Sequence, residues 1–287
     1  MKKLSATMFE KLTNTMAEQR STSSNYKDIL KTKEGNNYLV RLLPDFKDAS
    51  KTMKHYFSHG WKSLATGQFV TCLCPTTNGD RCPICEERVR LYRGDAEDKA
   101  NAKLLGRKEQ WLINAYVVDD PTNKENNNTI KVIRYGKQLD KIIRDAIDGV
   151  DKDEFGARVF DLSKDGCNFR IMVEKNDGGY PTYVSSKFLR ESEIKGMTEA
   201  NMEKVYDEIK DLDALIDNKS AEKVQNMLDT HFFCEIKATA NPTSKTVNVS
   251  DNTVEDLENI ETESVDETST LNDKDVQSKL DDLMKDL

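Results

Sequence analysis

The 287-residue sequence contains no apolar run of the roughly 18 residues that a membrane-spanning helix needs, so no membrane helix is expected. Its first residues, MKKLSATMFEKL, begin with lysines but lack an apolar core, which excludes a secretory signal peptide. Neither G-x-x-x-x-G-K-[ST] nor G-x-G-x-x-G occurs, so no glycine loop is expected to cradle a phosphate. The H-x-E triplet of zinc deaminases is missing too, because His59 is followed by Gly60-Trp61. These absences predict a protein that is not an enzyme. Residues 251–287 contain no aromatic side chain and cannot bury enough surface to offset the entropy of ordering, so they read as a disordered tail.

Charge is unevenly divided. Residues 241–287 carry thirteen acidic residues and four lysines, a balance of −9. The other 240 residues hold 39 basic and 38 acidic groups, a balance of +1, so all the net acidity lies in the tail. Blocks of like charge often act as interaction tails, and this one ends in an apolar-acidic segment, Leu280–Leu287. At the other end, residues 1–20 have a net charge of +2, with Leu4, Met8, Leu12 and Met16 at helical spacing. That segment predicts a short amphipathic arm, and residues 21–28 a linker.

Four of the six cysteines fall between Cys72 and Cys85. Cys82-Pro83-Ile84-Cys85 is a C-x2-C pair, which lets two thiolates take adjacent corners of a metal tetrahedron. The remaining ligands lie upstream: Cys72 or Cys74, together with a histidine or the other cysteine. Clustering favours a metal in a reducing compartment over a disulfide framework. Four protein ligands would close the site, leaving no position to activate water. Cys167 and Cys234 stand alone and read as buried apolar residues.

Between the ends, β-branched and aromatic residues predict short strands at 37–43, 54–58, 68–71, 111–118, 129–135, 168–173 and 232–238. Helices are expected at 86–92, 137–147, 198–215 and 220–228, with Thr198 and Ser220 as N-caps. The fold class is α+β with a mainly β core, in keeping with an OB-fold barrel interrupted by the metal segment. Basic and aromatic residues recur together: Arg107-Lys108 before Trp111, Arg134-Tyr135-Gly136-Lys137, and Tyr180 and Tyr183 before Lys187-Phe188. Cations neutralise phosphates and rings stack on bases, which is what a sequence-tolerant single-strand binder needs. The competing reading is a metal-stabilised interaction scaffold that binds no nucleic acid, supported by the near-zero charge of the body.

Several stretches, in order, carry a family resemblance: LVRLLP (39–44), His59-Gly60 with the downstream cysteines, NAYVVDDP (114–121), IRYGK (133–137), YPTYVSSKFL (180–189) and the DDLMKDL end. Together they resemble the T4-type phage single-stranded DNA-binding, or helix-destabilising, proteins. The resemblance implies an OB-fold core (21–240) with a zinc subdomain at about 55–110, a cooperative self-association arm (1–20) and an acidic tail (241–287). From the family's His-x12-Cys-x9-Cys-x2-Cys spacing it implies one structural Zn2+ held by His59, Cys72, Cys82 and Cys85. It further implies phosphate contacts from Arg41, Arg107, Lys108, Arg134 and Lys137, base stacking by Trp111, Tyr135, Tyr180 and Tyr183, and self-association through Lys2, Lys3 and Ser5. The implied partners are single-stranded DNA, a neighbouring copy of the chain, and replication and recombination proteins recruited by the tail. The implied setting is viral DNA replication, recombination and repair in the cytoplasm of a bacterial host.

Overall fold

The structure, a computed structural model, describes residues 27–234. The expected arm with Lys2, Lys3 and Ser5, and the acidic tail at 241–287, lie outside the described residues.

The chain forms a seven-stranded, mainly antiparallel sheet: β1 Asn37–Leu43, β2 Met53–Lys62, β3 Phe69–Leu73, β4 Arg107–Asp119, β5 Ile130–Tyr135, β6 Cys167–Met172 and β9 Lys187–Glu191. A separate small hairpin joins β7 Glu174–Lys175 to β8 Pro181–Thr182. The 13-residue β4 organises the sheet. Along one edge its first half pairs β2, from Arg107 opposite His59 to Ile113 opposite Met53. The second half of that edge pairs β1, and β5 runs along the other edge with Trp111 opposite Tyr135. The main path runs β3-β2-β4-β1-β6-β9 and does not return on itself. The barrel expected from strand content is therefore open. Strand propensity locates most of the sheet's strands along the chain but misses β9, whereas closure depends on tilt and stagger between distant strands.

Among the described residues, five helices flank the sheet: α1 Pro83–Tyr92, α2 Ala96–Leu104, α3 Lys137–Asp148, α4 Glu199–Asp207 and α5 Ala221–His231. Pro83 occupies the first turn of α1, where its missing N–H costs nothing. The predicted caps are present: the Thr198 side chain accepts from Asn201 N, and that of Ser220 from Lys223 N. The helix expected over 198–215 ends at Asp207, and a 3-10 turn, Asp213–Leu215, follows. Helix α2, capped by Asp95, is not among the expected elements, because AEDKANAKL has little apolar periodicity. The strand expected from Phe232 is absent over 232–234, where Phe232 caps α5. Cys167 is buried as expected, but Cys234 is exposed.

Two cores result. The first packs the sheet against α3, whose Leu139, Ile143 and Ala146 recur at i, i+4, i+7 and are buried. The second surrounds the cysteine segment, where Trp61, Ile84, Leu91, Leu105 and the returning Val224, Leu228 and Phe232 enclose Cys74 and Cys82. Helix α5 is tied there by Ser63 Oγ to His231 Nδ1 at 3.1 Å.

Arg41, expected at a phosphate, is instead part of the structure's interior. It is 0% exposed in β1. Its Nε donates to Asn168 Oδ1 at 2.9 Å, Nη2 to the Ser192 carbonyl at 2.9 Å, and Nη1 to the Asp161 and Ser163 carbonyls. Gly166 permits this arrangement: a Cβ there would stand 2.1 Å from Arg41 Nη1. A guanidinium whose donors are spent on carbonyls inside the protein cannot reach a strand.

Candidate metal centre and nucleic-acid interface

Four side chains converge beside the β2–β3 end of the sheet: His59, Cys74, Cys82 and Cys85, with their donor atoms all within 4.8 Å of one another. Cys85 Sγ lies 3.6 Å from Cys74 Sγ and 3.4 Å from His59 Nε2, and Cys82 Sγ lies 3.5 Å from that nitrogen. Zinc bonds of about 2.3 Å to sulfur and about 2.0 Å to nitrogen give tetrahedron edges of about 3.8 Å and about 3.5 Å, so the donor spacing fits a metal ion. The other ring nitrogen, Nδ1, lies 3.2 Å from the Leu105 carbonyl and 3.3 Å from that of Gly106. As the donor to these acceptors it leaves Nε2 for the metal, the usual outer support of a histidine ligand.

The set corrects one expected ligand: Cys74 stands where Cys72 was predicted. Cys72 pairs directly with His59 across β2 and β3, so both side chains share a face. Cys74, two residues on, returns to that face, and strand alternation cannot separate the two thiols. The 3-10 turn Pro75–Asn78 directly after Cys74 separates them, with the Thr76 hydroxyl 3.0 Å from Cys74 Sγ. Within the cluster, hydrogen bonds from Cys82 and Cys85 hold the Cys74 thiol well below its usual range, and hydrogen bonding with Cys74 in turn raises Cys82 and Cys85; burial pushes Cys72 up to about 12. Burial lowers His59, but hydrogen bonding and charge from Cys74 and Cys82 prevail and raise it to about 9.

The metal loop also shapes the sheet surface. Phe57 N–H donates to Thr77 Oγ1 at 2.9 Å, and its carbonyl accepts from Cys74 N at 2.8 Å. Over the Phe57 ring, at 4.2 Å from its centroid, lies the Arg107 guanidinium, which also donates to Thr76 Oγ1 at 3.5 Å. Arg107 is the cross-strand partner of His59. Ligand, loop, ring and cation thus form one connected unit.

Alternation divides the expected DNA contacts between two faces of the sheet. The face that includes His59 and Arg107, the front, also carries Glu109, Trp111, Tyr135, His55 and Phe57. Lys108 and Arg134, each adjacent in sequence to a front-face residue, lie on the back. A single strand lying against one face cannot touch both sets.

On the front, rings stack across three strands: His55 on Trp111 at 4.9 Å between centroids, and Trp111 on Tyr135 at 6.0 Å. Trp111 and Tyr135 are 5% and 3% exposed, so the structure places these two expected base-stackers in the core. The outermost ring, His55, is 43% exposed. Neither His55 nor Phe57 is among the contacts expected from sequence; the alternation within MKHYFSHGWK is the signal that carries both. Glu109 holds this edge, with His55 Nε2 at 2.9 Å and the exposed Lys137 Nζ at 3.4 Å. Lys137 opens α3, and the next residue, Gln138, accepts from Tyr183 N at 2.8 Å through Oε1, which brings the β7–β8 hairpin alongside. Tyr183 is half-buried, its hydroxyl 3.2 Å from Thr32 Oγ1, whereas Tyr180 at the hairpin is 43% exposed.

Glu109 places a carboxylate at the centre of this front edge, and a phosphate backbone would be repelled by it. Glu109→Gln is expected to tighten oligo-dT binding several-fold at low salt, the scale of about 0.5–1 kcal/mol for a partly exposed charge. Unchanged or weaker affinity in a filter-binding titration would mean that the strand does not pass this residue.

A mainly antiparallel sheet with a largely buried Cys3His donor set that could hold a metal ion, and with a face of rings and cations, defines a binding module. The family profile described as gp32 DNA binding protein like matches residues 33–232, more than two-thirds of the chain. The chain belongs to that family, which is a family of DNA-binding proteins and not of enzymes. Among curated proteins, none matches the chain closely enough to count as a relative. The scaffold reading without nucleic acid gives way to this membership. Among the described residues, no helix is long and apolar enough to cross a membrane.

Proposed function

We propose that this protein binds single-stranded DNA without sequence preference and coats it during viral replication, recombination and repair. Membership of a DNA-binding family carries the reading, and the front face supplies its chemistry. The strand runs past Arg107 and Phe57, His55, Lys137 and the β7–β8 hairpin. Arg107 and Lys137 contact phosphates, while His55, Phe57, Tyr180 and Tyr183 offer ring faces or edges to bases. Alanine substitution of a stacking ring costs about 1–3 kcal/mol per base. The open sheet serves as an OB-like platform in this reading, with the long segment between β2 and β4 as its metal subdomain.

The metal is one structural Zn2+. Three thiolates and one imidazole suit this ion, and a saturated tetrahedron leaves it no catalytic position. Its task is to fix the loop from Cys74 to Thr77, which in turn holds Phe57 and Arg107. No DNA contact is assigned to the ion.

Residues 1–20 act as the cooperative arm, 21–240 as the DNA-binding core, and 241–287 as the tail that recruits replication proteins. The tail, at −9, competes with DNA for the cationic face in the free protein. Deleting residues 1–20 is expected to abolish cooperativity on long poly-dT while leaving affinity for a hexanucleotide nearly unchanged. Equal losses on both lengths would reject the arm. Removing residues 251–287 is expected to tighten binding at low salt, and an unchanged titration would reject tail competition.

A further inference from the structure

Phe46 projects from the loop between β1 and β2 with 71% of its surface exposed. The loop is held in one shape: Asp45 Oδ1 accepts from Lys47 N at 2.8 Å and from Asp48 N at 3.0 Å, and Asp45 N donates to Thr52 Oγ1 at 3.0 Å. The Phe46 ring stands edge-on to Tyr206 of α4, 4.7 Å between centroids. Tyr206 is fixed in turn, its hydroxyl donating to the Phe160 carbonyl and accepting from Leu162 N, each at 3.0 Å. No residue of α4 is fully buried, and Met202, Val205 and Tyr206 lie half-buried over Leu43, Tyr116, Leu162 and Ile194. A fixed, exposed aromatic beside a half-covered apolar helix offers an anchor for a docked segment. We propose that residues 1–20 of the same chain seat here, with Leu4, Met8, Leu12 and Met16 over Phe46 and the apolar side of α4.

Three observations select that occupant. The first is where the described chain begins. Asp28 Oδ1 lies 3.3 Å from Lys210 Nζ, and Lys210 follows Tyr206 by four residues. Lys210 is itself anchored to β4, its carbonyl accepting from Asn114 Nδ2 at 2.8 Å and its N–H donating to Asn114 Oδ1 at 3.0 Å. The chain ahead of Lys27 therefore starts beside α4, and the linker residues 21–26 reach about 20 Å when extended. The second observation is charge. The loop 45–51 and residues 199–208 together carry six carboxylates and three lysines, a balance of −3, against +2 for residues 1–20. Among the described residues, Glu199, Glu203, Asp207 and Glu208 form no ion pair, so the lysines of the arm have carboxylates to meet. The tail at 241–287, at −9, is repelled by the same surface. The third is concentration. A segment on a short flexible linker meets its own core at about millimolar effective concentration, whereas a neighbouring copy in dilute solution competes at about micromolar. The seat is thus a contact within one chain of the DNA-free protein, and it does not depend on what the front face binds.

Hydrogen–deuterium exchange of the full-length protein without DNA tests it. Residues 4–16 are expected to exchange at least about tenfold more slowly in wild type than in Phe46→Asp, and α4 to lose protection when residues 1–20 are deleted. The Glu203→Lys, Asp207→Lys variant is expected to release the arm in the same way. Adding Lys3→Glu and Lys11→Glu to it is expected to restore protection, a rescue that a merely damaged surface would not show. Circular dichroism and metal content of each variant establish that it is folded.

The chain that supplies the arm is identified by crosslinking. Phe46 is replaced by photoreactive p-benzoylphenylalanine in an equal mixture of isotopically labelled and unlabelled chains. Crosslinks to residues 1–20 that join peptides of one isotope only support the seat. Mixed-isotope crosslinks, which mark the arm of a neighbouring copy, overturn it. Crosslinks to residues 280–287 instead of the arm, or equal exchange in wild type and Phe46→Asp, overturn it as well. Because no DNA is present, a protein that ignores oligo-dT leaves the seat standing, and a failed seat leaves the front-face reading intact.

Discussion

Cys74→Ser protein is expected to purify without stoichiometric metal, whereas Cys72→Ser retains one ion per chain. The two thiols are two residues apart on one strand face, yet only Cys74 Sγ reaches Cys85 Sγ, at 3.6 Å. Structural zinc supplies about 10–16 kcal/mol of apparent binding free energy in small zinc-finger peptides, and much of that energy is folding energy. Loss of the ion should therefore melt the second core, where Cys74 and Cys82 pack with Trp61, Ile84 and Leu105. Trp61 is 2% exposed and will redden its fluorescence as that core opens. Oligo-dT affinity should fall with it, because the metal loop holds Phe57 and Arg107. Binding of a metal displaces protons from its ligands, so apparent metal affinity should rise with pH. Equal metal content in Cys74→Ser and wild type, with loss in Cys72→Ser, would restore the ligand set read from family spacing.

Arg41→Ala is expected to cost several kcal/mol of stability, at about 1–3 kcal/mol for each acceptor left unsatisfied. The substitution leaves the buried Asn168 Oδ1 and the part-buried carbonyls of Asp161, Ser163 and Ser192 without their shared donor. Urea titration by circular dichroism measures the loss. At a temperature where the variant is folded, the salt dependence of its DNA binding should equal that of wild type. A stable Arg41→Ala protein whose salt slope falls by about 0.7, the value of one phosphate on a single strand, would show that Arg41 is a contact after all.

These two residues also mark how far the sequence is legible. The strand 37–43 can be read because NYLVRLL is a short apolar run that carries the strand-favouring Tyr38 and Val40 and no glycine or proline. The destination of its arginine cannot, because the acceptors lie more than a hundred residues away, at Asp161, Ser163, Asn168 and Ser192. The C-x2-C pair is legible as two ligands from spacing alone. The choice between Cys72 and Cys74 depends on a turn that no periodicity encodes. Arg107-Lys108 and Arg134-Tyr135 each read as one basic or basic-aromatic unit, yet a strand sends adjacent side chains to opposite faces. Applied to the expected strand 129–135, that alternation separates Arg134 from Tyr135, but Arg107 and Lys108 lie ahead of the expected strand 111–118 and are separated only once β4 is seen to begin at Arg107. Burial of Trp111 and Tyr135 is less accessible, since rings on a strand serve a core or a base equally well until the covering helix, α3, is placed.

The central claim is that the front face binds single-stranded DNA through phosphate neutralisation and stacking. Anisotropy titration of labelled oligo-dT across a salt series, with wild type and Arg107→Ala, tests it most directly. The predicted result is tight binding at low salt, log K falling linearly with log salt, and a slope shallower by about 0.7 in Arg107→Ala. No binding to oligo-dT at low salt, or an identical slope in the two proteins, would contradict it.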